Sequence, residues 1–297
     1  MKIVIALALI RVLSWLPLRP LYALADPVGR LLFRLPLRKH AVIRTNLAIA
    51  FPELSPEARA RLHRGHLIEM VRMVLESGAI WHWSAERLQR HVRVVKGWSH
   101  VEAAQQAGRG VLLISGHLGS WELGPLLAGL NGGFSGLYKA PRDPRVDRAV
   151  TRSRGRFGAQ LITTGSPAMR RLLRELKAGG VVGLLMDQQP RQGEGVWAPF
   201  FGRLALTMSL VHRLARRTDC AVIFGSVRRT TRPAGWEFHL APVCETVAGD
   251  DPVAAATALN AHLERAIRSV PAQYLWLYKR WSLQPGDLGD PYRDASA

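Results

Sequence analysis

Gly110-Val111-Leu112-Leu113-Ile114-Ser115-Gly116-His117-Leu118-Gly119-Ser120-Trp121-Glu122 is the stretch that decides the fold. Five residues from Val111 form an apolar run closed on both sides by glycine, the pattern of a strand buried on both faces in a parallel sheet. Val181 to Met186 reads the same way. Between and around these runs, helical patterns alternate with short strands. Helices are expected over 40–50, 55–80, 99–107, 121–130, 144–157, 167–178, 207–218 and 252–269, and strands over 134–138, 160–162, 220–228 and 236–241. Ser55 suits an N-cap, with Pro56 at the first helical position; Ser120 is the expected cap of the helix over 121–130. The expected fold class is α/β, a mostly parallel central sheet flanked by helices. Ligands in such folds bind beyond the carboxyl ends of strands, which singles out the residues just after Ser115 and Met186.

His117 and Glu122 come directly after Ser115. Five residues apart, they would stand about 140° apart on a regular helix and could not meet on one face. They can meet if His117 lies on the loop and Glu122 in the first helical turn, a tight path that Gly116 and Gly119 permit. A neutral histidine oriented by a carboxylate is a general base, and a helix N-terminus nearby favours developing negative charge. The alternative is a buried histidine beside a glutamate that only serves the helix dipole. G-x-S-x-G, H-E-x-x-H and P-loop patterns are all missing from the sequence, and Gly108-Arg109-Gly110 does not continue into a dinucleotide fingerprint. A base without an evident protein nucleophile favours direct attack by a substrate hydroxyl.

The chain has 297 residues with 41 Lys and Arg against 22 Asp and Glu, a formal charge of +19. Of the basic residues 35 are Arg, the side chain suited to bidentate phosphate or carboxylate recognition, although a coding bias toward Arg would produce part of this excess. Cys220 and Cys244 are the two cysteines, which excludes a disulfide scaffold and a cysteine-rich zinc site. Residues 3–33 are mostly apolar but interrupted by Arg11 and Pro17, and the first 66 residues carry eleven basic and three acidic side chains. An apolar segment inside a basic collar is the signature of an anionic lipid surface. The expectation is an uncleaved membrane anchor and collar over 1–38, spanning or lying in the interface, followed by a single α/β domain over 39–297. A buried core helix or a signal peptide ending near Ala23-Leu24-Ala25 are the alternatives.

With these residues in view, the chain resembles the late acyltransferases of lipid A biosynthesis, the lauroyl and myristoyl transferases. Gly116-His117-x-Gly119-x-Trp121-Glu122 carries the family's H-x-x-x-x-E motif. Arg44 to Pro52 (RTNLAIAFP), Met186-Asp187-Gln188-Gln189-Pro190 with Pro199-Phe200-Phe201-Gly202-Arg203, and Gln273 to Trp281 (QYLWLYKRW) resemble its other blocks, in order, over about residues 5–285. The resemblance implies an enzyme at the cytoplasmic face of a bacterial inner membrane. It would move an acyl chain from acyl-acyl carrier protein to a hydroxyl of a lipid A precursor of the Kdo-lipid IVA type. His117 maps to the base and Glu122 to its partner. Substrate contacts are expected from Arg154 or Arg156, from Asp187 and from Arg203, whose alternatives are a turn residue for Asp187 and solvated arginines for the rest. The acyl-carrier-protein thioester is a co-substrate, and no metal, redox cofactor or nucleic acid is implied. The loop departs from the family in reading His-Leu-Gly-Ser where an aromatic and Gly-Asn are commoner, which bears on acceptor and chain-length preference. Another glycolipid or lysophospholipid acceptor is the second possibility, and a non-enzymatic binder of anionic membranes or nucleic acid the third. His66, His82, His91 and His262 read as structural, and Trp276, Tyr278 and Trp281 as packing or interface aromatics.

Overall fold

Alternate residues of the Val111–Ser115 strand enter different cores. Leu112 and Ile114 belong to one apolar cluster, Val111 and Leu113 to the other. A strand covered on both faces has no polar side to display, which is why its sequence is a continuous apolar run. A computed structural model describes residues 2–286 and 288–293. Helices are α1 Lys2–Leu13, α2 Leu18–Arg34, α3 Lys39–Ala50, α4 Pro56–His82, α5 Ala85–His91, α6 Ser99–Gln106, α7 Gly124–Leu130, α8 Pro144–Arg154, α9 Ser166–Lys177, α10 Leu210–Thr218 and α11 Pro252–Ser269. Strands are β1 Val92–Lys96, β2 Val111–Ser115, β3 Phe134–Tyr138, β4 Ala159–Thr163, β5 Val181–Leu185, β6 Gly195–Phe200, β7 Arg203–Met208, β8 Ala221–Thr231 and β9 Ala234–Pro242.

Seven strands form one sheet in the order β1-β9-β8-β2-β5-β3-β4. Within it β8 and β9 pair antiparallel, and the other pairings are parallel. The expected α/β class, with a mostly parallel sheet between helices, is what the structure shows. β2 lies between β8 and β5, and its register with β5 is unbroken from Val111↔Val181 to Ser115↔Leu185. Ser55 caps α4, accepting from the Ala58 amide at 3.2 Å, as its position predicts.

The α5–β1 segment is not among the expected elements, and two further segments differ from expectation in ways that bear on function. The helix expected to begin at 207 begins at Leu210, because 195–208 is a separate hairpin of β6 and β7. Its turn, Phe201-Gly202, holds both residues at positive φ, 51° and 72°. Such a two-residue turn is ordinarily announced by Asn-Gly, and Phe at positive φ hides it. The Phe201 ring is held there against Phe51, Phe200 and Trp276.

The apolar N-terminus, expected as a membrane-anchor helix, is two helices broken at residues 14–17. Among the described residues no helix is long and apolar enough to cross a membrane. Pro17 stops continuation, and α2 is amphipathic. It buries Leu18, Leu21, Tyr22, Ala25 and Gly29, spaced at three, four and seven residues, on the face turned to α4. Leu18 and Tyr22 are part of the second core cluster. Helix α1 instead leaves Val4, Ile5, Leu9 and Val12 exposed, followed by Trp15 and Leu16.

Candidate active site

Because Ser115 and Leu185 are register partners, the residues two positions beyond each strand end, His117 and Asp187, emerge side by side. The Met186 amide extends the ladder to the Ser115 carbonyl at 2.9 Å. The Asp187 carboxylate then takes two hydrogen bonds from one residue. Oδ1 lies 2.8 Å from His117 Nδ1, and Oδ2 accepts from the His117 backbone N–H at 2.8 Å. Asp187 is 3% exposed, and burial pushes its pKa up, but the charge and hydrogen bonds of His117 prevail and hold it below the usual carboxylate value. On His117 burial opposes protonation, yet Asp187, with a further contribution from Glu122, raises its pKa above 6.5. With Nδ1–H committed to the carboxylate, Nε2 keeps its lone pair. It faces outward, 3.3 Å from the Gln188 amide nitrogen.

Glu122 is not the carboxylate that holds the ring. It sits in a single 3₁₀ turn, Trp121–Leu123, ahead of α7 and forms a two-pronged ion pair with Arg154. Arg154 Nε reaches Oε2 at 3.0 Å and Nη2 reaches Oε1 at 2.5 Å. The spacing argument allowed His117 and Glu122 to meet. The geometry departs from it because α8 brings a guanidinium to Glu122 while β5 brings a better-placed carboxylate to His117. Trp121 packs edge-on to His117 at 4.8 Å between ring centroids, and Arg154 lies over Trp121 and Tyr138. Two pairs, His117–Asp187 and Glu122–Arg154, thus flank one loop.

Of the arginines singled out in the sequence, only Arg154 is at this site. Arg156 spends its guanidinium on the last turn of α4, donating to the Ile80 and Trp83 carbonyls at 2.6 Å each. Arg203 reaches Gln284 and Gly289 and ties down the C-terminal segment. Trp276 and Trp281 are buried packing residues, and the Tyr278 hydroxyl accepts from the Gln189 amide at 2.9 Å.

The loop itself is clamped from three directions. Gly119, at φ +63°, donates to the Gln273 carbonyl; a Cβ there would lie 2.1 Å from the Val227 oxygen. The Ser120 amide donates to Val227 at 2.8 Å and the Leu275 amide to His117 at 3.1 Å. Ser120, expected as a helix cap, makes no such bond and instead donates its hydroxyl to Glu76 at 2.7 Å. Glu76 is fully buried. It accepts from Arg229 at 2.6 and 2.8 Å, from the Tyr22 hydroxyl at 2.6 Å and from Trp236 at 3.1 Å. Burial acts to raise its pKa, but Arg229 and these donors lower it. This buried charge pair went unread in the sequence. Its signal was Glu69 and Glu76, seven apart and so on one face of α4, with Arg229 also bonded to Glu69.

Below Trp121 and Arg154 a narrow apolar slot runs across the sheet, about 670 Å³ including its open mouth. Its floor is the register row Leu113, Gly183 and Gly136 on β2, β5 and β3. The glycines make room for Phe134, whose ring covers them: a Cβ on Gly183 would lie 2.1 Å from Phe134 Cζ.

A base whose Nε2 faces outward, a fixed guanidinium and an apolar slot thus lie together at the carboxyl end of a parallel sheet, an arrangement compatible with transfer of a group that has an apolar tail. The sequence comparisons say which. Residues 1–282 match the model of the bacterial lipid A biosynthesis acyltransferases, and the chain belongs to that family. It is 26% identical over 278 residues to the lipid A biosynthesis lauroyltransferase of Escherichia coli K12, covering 93% of this chain and 90% of the relative. To the palmitoleoyltransferase of the same organism it is 27% identical over 249 residues, 84% of this chain and 80% of the relative. A phosphatidylinositol mannoside acyltransferase of Mycobacterium tuberculosis is 27% identical over 194 residues, 64% of this chain and 60% of the relative. The chain is an acyltransferase of lipid A biosynthesis type.

Proposed function

We propose that this acyltransferase takes a fatty acyl group from the thioester of acyl-acyl carrier protein and places it on a hydroxyl of a lipid A precursor. The observation that carries the chemistry is His117 Nε2, facing outward against the Gln188 amide while Nδ1–H is bound to a buried carboxylate, with Trp121 between the ring and the slot. The acceptor hydroxyl displaces the Gln188 amide and donates its proton to Nε2, and Asp187 stabilises the imidazolium that forms. The acceptor oxygen attacks the thioester carbonyl, forming a C–O bond and a tetrahedral oxyanion. Arg154, fixed by Glu122 and lining the slot, meets that charge. Collapse breaks the C–S bond, and the departing carrier thiolate takes the proton back from Nε2. The acyl chain enters the slot from the Trp121–Arg154 side as far as the Phe134 ring, which covers Gly183 and Gly136, and each buried methylene contributes about 0.8 kcal/mol. Glu122 acts through Arg154 and is a positioning residue. Asp187 holds the base and is not a contact for substrate.

The chain works at the cytoplasmic face of the inner membrane, with the exposed Val4, Ile5, Leu9 and Val12 ridge of α1 in the lipid interface and basic surface left for an acidic carrier protein. The reading is tested by incubating purified protein with lauroyl-, myristoyl- and palmitoyl-carrier protein and a Kdo-lipid IVA acceptor, with mass spectrometry of the product. A mass increase of one acyl group, lost in His117→Ala, is the expected result. Transfer only to phosphatidylinositol mannosides or lysophospholipids in the same assay would move the acceptor elsewhere, and near-full transfer by His117→Ala would refute the mechanism.

A further inference from the structure

A second, larger cavity lies away from the active site. It is a groove of about 1540 Å³, including its open mouth, between the α2–α3 connection, α3 and the first turns of α4. Arg38, Arg44 and Arg59 stand around it. Arg59 makes long bonds to the Phe51 and Pro52 carbonyls, and none of the three forms an ion pair with a carboxylate among the described residues. Nearby Glu53 is occupied by Arg268, and Glu57 feels Arg59 only at a distance. The groove also contains a buried pair of imidazoles. His40 Nε2 donates to the Leu32 carbonyl at 3.1 Å, so its Nδ1 accepts from His63 Nε2 at 2.9 Å. Burial, then His40 and Arg44, push His63 down to about 4, so at neutral pH it adds no charge. Three guanidiniums give the groove its fixed positive charge.

One side of the groove is greasy. Phe33, Leu35 and Leu37 line it, and both leucines are more than two-fifths exposed. On α2 the exposed Leu24 and Leu31, seven residues apart on one helix face, lead down to Leu35. An apolar stripe ending in a pocket of unpaired arginines matches a molecule that is a phosphate at one end and hydrocarbon at the other. A carboxylate-rich protein surface would pair the arginines but leave the leucine stripe in water.

We propose that this groove is a binding site for a membrane glycerophospholipid, with its phosphodiester on Arg38, Arg44 and Arg59 and its chains along Leu35, Leu31 and Leu24. It shares no residue with the apolar slot beside His117, so the lipid it holds is a docking ligand rather than a reactant. It also sets the way the protein sits: α2 lies along the membrane with the groove at its C-terminal end.

The test uses the full chain and sedimentation with vesicles of phosphatidylcholine alone or mixed with phosphatidylglycerol. Three proteins are compared: wild type, R38Q/R44Q/R59Q, and R170Q/R174Q/R217Q, which removes the same charge from exposed arginines of α9 and α10. The groove variant is expected to lose roughly a hundredfold in partition to anionic vesicles, as three basic residues at an anionic surface predict, while the control stays within a few-fold of wild type. In detergent, where docking is not needed, acyl transfer by the groove variant stays within about twofold of wild type. Its loss of vesicle binding is thereby distinguishable from a failure of the proposed chemistry. If Arg59 proves necessary for folding, R38Q/R44Q reads the same comparison with a smaller loss, roughly thirtyfold. Equal losses in groove and control variants would overturn the site in favour of diffuse charge. Unchanged vesicle binding with a raised KM for acceptor would reassign the groove to the acceptor's phosphates, and a raised KM for the carrier thioester would reassign it to the protein donor. Thermal protection of wild type by inorganic phosphate as strong as by the vesicles would make it a free-phosphate site. Each of these outcomes refutes the docking lipid.

Discussion

Asp187→Asn decides which carboxylate governs His117. In the wild type its two oxygens each accept one hydrogen bond from His117, from Nδ1–H and from the backbone N–H. Asparagine offers a single acceptor oxygen, so its NH₂ must oppose one of these donors, or the ring must adopt the other tautomer and lose the lone pair at Nε2. Hydrogen bonds to charged groups contribute about 1.5–3 kcal/mol each, so losing the one to the ring removes roughly 1.5–3 kcal/mol from the imidazolium-like transition state. At about 1.4 kcal/mol per decade, kcat falls roughly 10- to 10²-fold. The pH profile moves as well. Burial alone depresses the His117 pKa and Asp187 is what raises it, so activity, which needs neutral His117, climbs through a pKa above 6.5 in the wild type. Without the carboxylate that acid limb shifts to lower pH. Glu122→Gln leaves the His117–Asp187 pair intact and loosens Arg154, so roughly a tenfold loss of kcat is expected, with the acid limb nearly in place. The assay is initial-rate release of carrier thiol, from about pH 5 to 9, dependent on acceptor. An Asp187→Asn enzyme within about threefold of wild type, with an unmoved limb, beside a nearly inactive Glu122→Gln, would return the ring to Glu122 and sink the assignment.

Further consequences are measurable. Glu76→Ala leaves Arg229 paired with Glu69 alone and is expected to cost about 3 kcal/mol in denaturant unfolding, the low end for a broken buried pair; a loss under about 1 kcal/mol would show the network to be dispensable. Because the folded pKa of Glu76 is lowered, its contribution is present above the ordinary carboxylate pKa and is lost as pH falls through the folded value, so the wild-type advantage over Glu76→Ala should shrink in acid. Gly119→Ala meets the Val227 oxygen at a positive φ, and transfer should drop at least tenfold with a lowered Tm; normal activity would mean the loop has another path. Phe134→Ala uncovers the glycine row and lengthens the slot, so product chain lengths should shift upward at about 0.8 kcal/mol per added methylene, and an unaltered spectrum of products would place the chain elsewhere.

The fold was legible where burial is symmetric. β2 and β5 lie between helices on both faces, so their apolar runs identify them without help from pattern. The 195–208 hairpin was not, because its turn uses Phe201 where turn chemistry leads one to look for Asn or Gly, and its stabilising contacts come from Phe51 and Trp276, far away in sequence. At the site, His117 was legible from its place after a strand. The exchange of carboxylates was not, since Asp187 is brought to it by strand register and Arg154 to Glu122 by the packing of α8, and neither can be had from spacing along the chain. The N-terminal segment misled because mean apolarity does not say which face is covered: α2 hides one side in the core and shows outside only Leu24 and Leu31 of its large apolar residues, whereas α1 leaves Val4, Ile5, Leu9 and Val12 exposed.

The clamps on the catalytic loop have a bearing on how the enzyme is made. His117 and Gly119 are fastened to Leu275 and Gln273, and the base is completed by Asp187, so a chain still being synthesised holds His117 long before it holds anything that orients it. Such distant pairings form late and slowly. The site is therefore assembled from three parts of the chain far apart in sequence, the loop after β2, the residues after β5 and the segment around Leu275, and a chain ending ahead of Gln273 would lack two of the hydrogen bonds that hold the loop.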